Sequence, residues 1–190
     1  MKENFIDCLE QINLYRDEDT GQHSLRVGEL AFILAKKLNI NDVTCKEIRT
    51  FASLHDIGKI GIPDIILLKE GKLTIEEFEY IKKHPEIGFN LIKKARFGKV
   101  AENIVMYHHE KWDGSGYPIG LKGEEIPLES RITAIADVYD ALRQKRCYKE
   151  GFSHEIALKI LREGETTHFD SEILKIFLEN EIEFRQLYIE

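Results

Sequence analysis

Apolar residues recur at helical spacing along almost all of this 190-residue chain, and no other feature constrains its fold as tightly. Phe5, Leu9, Ile12 and Leu14 predict a first helix. Leu25, Val27, Leu30, Ala31, Leu34 and Leu38 predict a second, with Asp19 or Thr20 as its N-cap. Asp42 can cap a third, which runs through Ile48, Phe51, Ala52 and Leu54 into His55-Asp56. Residues 60–72, with Gly61, Pro63 and Gly71, read as a loop. Thr74-Ile75-Glu76-Glu77 fits a capping box and opens a helix toward His84, where Pro85 predicts an end or a kink. Ile87, Leu91 and Ile92 continue the pattern, and Val100, Ala101, Ile104 and Val105 predict a helix ending at His108-His109. Further helices are predicted over 130–142, over 153–161, and from Ser171 toward the end of the chain. No segment reads as a strand, so the expected fold class is all-α, a single helical bundle with short connections.

The exception to the helical period is residues 110–127, which hold Gly114, Gly116, Pro118, Gly120, Gly123 and Pro127. A loop of about 18 residues inside a compact domain points to function. No repeat, low-complexity tract or linker divides the sequence, so residues 1–190 read as one domain.

Net charge is -7, which argues against a nucleic-acid polymer or an anionic membrane as partner. A phosphate substrate would need local cations or metals to hold it. Cys8, Cys45 and Cys147 are odd in number and scattered, which suits half-buried thiols in a reducing cytoplasm rather than a disulfide framework or a cysteine zinc site. No apolar run approaches membrane-spanning length, and Met1-Lys2-Glu3-Asn4 opens no signal-peptide core.

Five of the seven histidines, His23, His55, His84, His108 and His109, fall on helix faces or at predicted helix ends. Asp56 adjoins one of them, Lys59 follows three residues later, and Asp137 interrupts an apolar helix face. A lone histidine on an apolar face is more often a core residue, and a buried carboxylate needs a compensating partner. Five histidines and two aspartates are too many ligands for one tetrahedral zinc. They suit two octahedral ions bridged by a carboxylate, the arrangement of two-metal hydrolytic sites.

The segment His55-Asp56-Ile57-Gly58-Lys59 resembles the signature of the HD superfamily of metal-dependent phosphohydrolases. His108-His109-Glu110-Lys111-Trp112-Asp113-Gly114-Ser115-Gly116-Tyr117-Pro118 resembles the second signature of its HD-GYP branch. Thr20-Gly21-Gln22-His23, Lys83-His84-Pro85, Ala136-Asp137-Val138-Tyr139-Asp140, Arg146-Cys147-Tyr148-Lys149 and His168-Phe169-Asp170 add to the match, which covers about residues 15–178. The resemblance implies an HD-type helical core and a phosphodiesterase that hydrolyses cyclic di-GMP to pGpG, GMP or both, by attack of a metal-bridging hydroxide. It implies two or three divalent ions, iron or manganese. His23, His55, Asp56, His84, His108, His109 and Asp137 match the ligand positions, with Asp56 bridging. Asp19 matches a third-ion position at which the family has a longer glutamate. Lys59 matches the lysine on the scissile phosphate, and Tyr117, Arg146 and Lys149 match substrate contacts; the last three could equally be a loop aromatic and solvated charges. Ser171 stands where the family has a proline, as a helix N-cap. Alternatives are an HD phosphohydrolase of another cyclic dinucleotide or nucleotide, and a non-catalytic receptor. The last helix has more apolar positions than one stripe needs, so it either packs on its own core or pairs with a second copy.

Overall fold

The computed structural model describes residues 6–12, 18–144 and 151–188. Residues 6–12 are helical, with Ile6 and Leu9 packed on the core; the expectations for Phe5 and Leu14 lie outside the described residues. Helix α1 is Glu18–Lys37, so Asp19 and Thr20 sit in its first turn rather than capping it. Helix α2 is Asp42–Ala52. Its cap is Asn41, not Asp42: the Asn41 Oδ1 accepts the Thr44 N–H at 3.0 Å, while Asp42 lies in the first turn, where a carboxylate meets the positive end of the helix dipole.

Helix α3, Asp64–Leu67, is one short turn within the predicted loop. Helix α4, Ile75–Ile81, starts in the predicted capping box, with Thr74 and Glu77 each bonding the other's backbone N–H. Helix α5, His84–Ala95, begins afresh at the predicted break. Pro85 sits in its first turn, where a missing N–H costs nothing. Helix α6 is Lys99–Tyr107, α7 is Leu128–Arg143 and α8 is His154–Glu163. The predicted last helix is two, α9 at Ser171–Glu179 and α10 at Glu181–Gln186, broken at Asn180. The cap of α9 is Asp170 rather than Ser171; its side chain accepts the N–H groups of Glu172 and Ile173. Among the described residues the only β-type pairing is an isolated bridge between Glu165 and Phe169.

Helix α1 packs on α2 and α7, α6 packs on α2, α5 and α7, and α8 covers α7. Leu30 and Leu34 of α1, Ile48 of α2, Ile104 of α6 and Ile135 of α7 are fully buried where these helices meet. Each such side chain contributes about 1.5–3 kcal/mol of transfer free energy. Ile173, Leu174, Phe177 and Phe184 turn into the same core, which absorbs most of the apolar excess of the C-terminal helices. Ile182 and Leu187 stay exposed. Cys45 is buried and Cys8 is exposed, in place of the half-burial expected; Cys147 lies outside the described residues.

Candidate metal centre

Helix α2 stops at Ala52, short of the His55-Asp56 pair that the sequence places on it. The chain tightens instead: Leu54 N–H bonds Phe51 O at 3.1 Å, His55 N–H bonds Ala52 O at 3.3 Å and Ile57 N–H bonds Leu54 O at 3.0 Å. A 3₁₀ turn, Ile57–Gly61, follows. This tightened turn directs both His55 and Asp56 inward, where they are 0% and 5% exposed. Gly58 then lies against the start of α5, so closely that a Cβ there would sit 1.9 Å from the His84 carbonyl oxygen. Only glycine permits that approach, and it sets Asp56 beside His84.

Asp56 belongs to two groups of potential ligands. The ligand atoms of Asp56, His84, His108 and His109 lie within 4.8 Å of one another, and so do those of His23, His55 and Asp56. The imidazoles are pre-oriented. His55 Nδ1 donates to Ala52 O at 2.7 Å, His84 Nδ1 to Ile81 O at 2.8 Å, and His108 Nδ1 to the carbonyls of Ile104 and Val105 at 3.1 Å. A carbonyl only accepts, so each Nδ1 carries a proton and each Nε2 is turned inward. His84 Nε2 and His108 Nε2 face each other at 3.3 Å, and His84 Nε2 lies 3.1 Å from Asp56 Oδ1.

Two buried atoms here, His55 Nε2 and Asp56 Oδ1, have no hydrogen-bond partner. Buried polar atoms without partners are uncommon and call for an occupant. Converging acceptors of this kind, imidazole nitrogens with a shared carboxylate, fit divalent ions.

On the other side, α1 and α7 bring His23 to Asp137, with Nε2 3.1 Å from Oδ1; His55 Nε2 is 3.7 Å from the same oxygen. His23 Nδ1 donates to Asp140 Oδ2 at 2.7 Å. Asp140 is fully buried; Arg26 grips it through Nε at 2.6 Å and Nη2 at 3.0 Å, and the Tyr188 hydroxyl donates to it. A carboxylate behind a ligand imidazole fixes its ring and its tautomer. Sequence reasoning gave Asp140, Arg26 and Tyr188 no role. Asp140 lies one turn beyond Asp137 and Arg26 one turn beyond His23, a spacing that was there to be read; Tyr188 has no local signal.

Burial penalises charge throughout the site. His108 falls to about 4 for that reason, and His109 falls well below the usual imidazole range through burial and the neighbouring His108. Burial also lowers His23, but its hydrogen bonds to Asp137 and Asp140 outweigh this and hold it at about 9. Asp56, despite burial, is held well below the carboxylate range by Lys59 and His55. His108 and His109 are therefore neutral imidazoles, while His23 is paired ionically with carboxylates.

Lys59 reaches Asp56 Oδ2 at 2.5 Å. The Tyr117 ring lies 4.7 Å from that of His109, and Lys82 Nζ is 5.7 Å from the Tyr117 centroid. Residues 110–127 hold together around buried Glu110, whose carboxylate accepts the N–H groups of Ile119, Gly120 and Leu121 at 2.8–3.1 Å. Trp112 N–H to His168 O at 3.1 Å and Asp113 N–H to Thr167 O at 3.0 Å tie this loop to the turn before α9. Glu110 too had no role in the sequence reading; an acid directly after paired histidines, at the mouth of a loop rich in N–H groups, is the cue. The Asp19 backbone lies one turn before His23 on α1, and its side chain falls outside the described part. Arg146 and Lys149 lie outside the described residues.

A model of the HD domain matches residues 7–173. A cyclic di-GMP phosphodiesterase of Vibrio cholerae serotype O1 is 45% identical over 89% of this chain and 37% of its own length. A 3′3′-cGAMP-specific phosphodiesterase of the same organism is 42% identical over 89% of this chain and 33% of its own length. Among solved structures, an HDG"Y"P protein of Bdellovibrio bacteriovorus superposes with a TM-score of 0.67 at 26% identity, covering 81% of this chain and 49% of that one. The chain belongs to the HD domain family, in its HD-GYP branch. It spans well under half the length of these two curated relatives.

Proposed function

We propose that this chain is a metal-dependent phosphodiesterase that hydrolyses cyclic di-GMP to pGpG, GMP or both, in the cytoplasm. The observation that carries this reading is Asp56: one buried carboxylate common to two ligand groups, with Oδ1 unpartnered beside the unpartnered His55 Nε2. His23, His55, Asp56 and Asp137 would hold one ion, and Asp56, His84, His108 and His109 the other. Mixed imidazole and carboxylate donors suit iron or manganese. Asp19 would add a ligand for a third. Bound there, divalent ions acidify a shared water and polarise phosphoryl oxygens.

The protein's own groups supply the rest. Lys59 stands beside Asp56, where its cation can neutralise charge that develops on a phosphoryl group. Tyr117, next to His109 at the mouth of the loop, gives a nucleobase or ribose a face to rest on. Arg146 and Lys149 complete the proposed substrate contacts. Pairing of two copies through the C-terminal helices would rest on the exposed Ile182 and Leu187.

A second reading concerns the base. A cGAMP-specific relative nearly as similar as a cyclic di-GMP relative supports a mixed guanine-adenine substrate almost as well. The test is anaerobic incubation of the purified protein with Mn(II) or Fe(II) and each dinucleotide in parallel, followed by chromatography. Formation of pGpG or GMP from cyclic di-GMP, absent with Asp56→Ala, is the expected result. Turnover of the mixed dinucleotide alone transfers the activity to the second reading. Metal-loaded protein that binds a dinucleotide without cleaving it makes the chain a receptor.

A further inference from the structure

The Asp140 carboxylate is fully buried and all of its acceptor capacity is used. Oδ2 takes His23 Nδ1 and Arg26 Nη2; Oδ1 takes Arg26 Nε and the Tyr188 hydroxyl. Four donors fill the four lone-pair positions of an ionised carboxylate. Arg26 holds it from α1, but its side chain is 27% exposed, so its grip has latitude. Tyr188 has less. Its ring stands edge-to-face on Tyr139 at 5.6 Å, and the Arg143 and Arg26 guanidiniums lie over it at 4.9 and 5.9 Å. Burial and the Asp140 charge push its hydroxyl pKa up, so it stays a donor at neutral pH.

We propose that Tyr188 is a positioning residue of the metal centre: its hydroxyl fixes the Asp140 carboxylate, and that carboxylate fixes the His23 ring that faces Asp137. The proposal rests on the metal-centre reading above. It places a determinant of the His23 side of the centre just after α10, 165 residues along the chain from the ligand it serves (188 − 23). Without the hydroxyl, Asp140 Oδ1 loses one donor in a buried site, and the carboxylate is free to turn about its own bond toward Arg26.

The experiment titrates the metal-free full chain with Mn(II) and follows free aquo-Mn(II) by electron paramagnetic resonance. Thermal unfolding is recorded on the same samples. It compares the wild type with Tyr188→Phe and with Tyr139→Phe. The second variant removes another buried hydroxyl of the same aromatic cluster, one that bonds His154 rather than Asp140. Tyr188→Phe should weaken one class of Mn(II) site about threefold to tenfold, below the range for a direct outer partner, and leave the other class at wild-type affinity. Tyr139→Phe should cost comparable stability and leave both classes unchanged. Wild-type affinities in Tyr188→Phe, or equal weakening in both variants, would overturn the proposal while leaving the metal centre standing. A wild-type protein that takes up no Mn(II) would bring down the centre, and this inference with it.

Discussion

On the two sides of the candidate centre, His84 and His108 are oriented by different means from His23. His84 and His108 are held by carbonyls three or four residues back in their own chain segment. They sit where α5 begins and α6 ends, and His108 stays uncharged at neutral pH. His23 is held by a side chain 117 residues away on α7, within an ionic cluster of Asp137, Asp140 and Arg26. His84 and His108 are thus oriented by local backbone, as is His55 on the acidic side, while His23 depends on how α1 and α7 pack. Substitutions on α1 and α7 away from the site should act mainly through His23, because its ring is oriented by a side chain on another helix.

Asp56→Ala removes the one residue common to both sides and should break the contrast altogether. Expected are loss of bound metal on both sides and a fall in turnover of at least about 1,000-fold, read by elemental analysis beside a hydrolysis assay; retained turnover in metal-depleted Asp56→Ala protein defeats the mechanism. His55→Ala and His84→Ala then separate the sides. Each should lose the ion of its own side first, with turnover lost in both, and identical metal-binding curves for the two variants would mean that the sides are not distinct. Asp140→Asn keeps the shape of the acidic side but removes its charge. It should weaken metal binding there about 10- to 100-fold with the imidazole side unchanged; a uniform loss would show that Asp140 serves the whole fold.

The smallest effect is expected away from both sides. Glu110→Gln removes the charge from the hydrogen bonds to Ile119, Gly120 and Leu121 and should cost about 1–3 kcal/mol, seen as a melting point lowered by several degrees. Metal affinity should not move. A Glu110→Gln protein that melts like the wild type would show that the loop is held by its Trp112 and Asp113 ties alone.

What could be read in the sequence follows the same division. Helical spacing located nearly every helix because burial of Leu30, Leu34, Ile48, Ile104 and Ile135 imposes it directly. The break before α5 was legible because Pro85 has a local steric cause. Exact ends were less so: Asn41 and Asp170, rather than their neighbours Asp42 and Ser171, cap α2 and α9, since adjacent polar residues compete for one cap on geometry alone. His23, His55, Asp56, His84, His108, His109 and Asp137, which the sequence marks by type and position, do converge. Asp140, Arg26 and Tyr188 did not announce themselves, because their role exists only once α1, α7 and the C-terminal turn have met. The turn at 53–56 was missed for a related reason: nothing in Ser53-Leu54 breaks a helix, and it is the Gly58 contact with the start of α5 that the tight turn serves.

That contact has a consequence of its own. The separation between Asp56 and His84 is gauged by main-chain atoms meeting main-chain atoms, with Gly58 against the His84 carbonyl and the Gly88 amide. A gauge made of backbone does not change when neighbouring side chains drift or repack. The spacing of Asp56 and His84 is written into a residue that touches neither side chain, and position 58 admits no variation that would leave it intact.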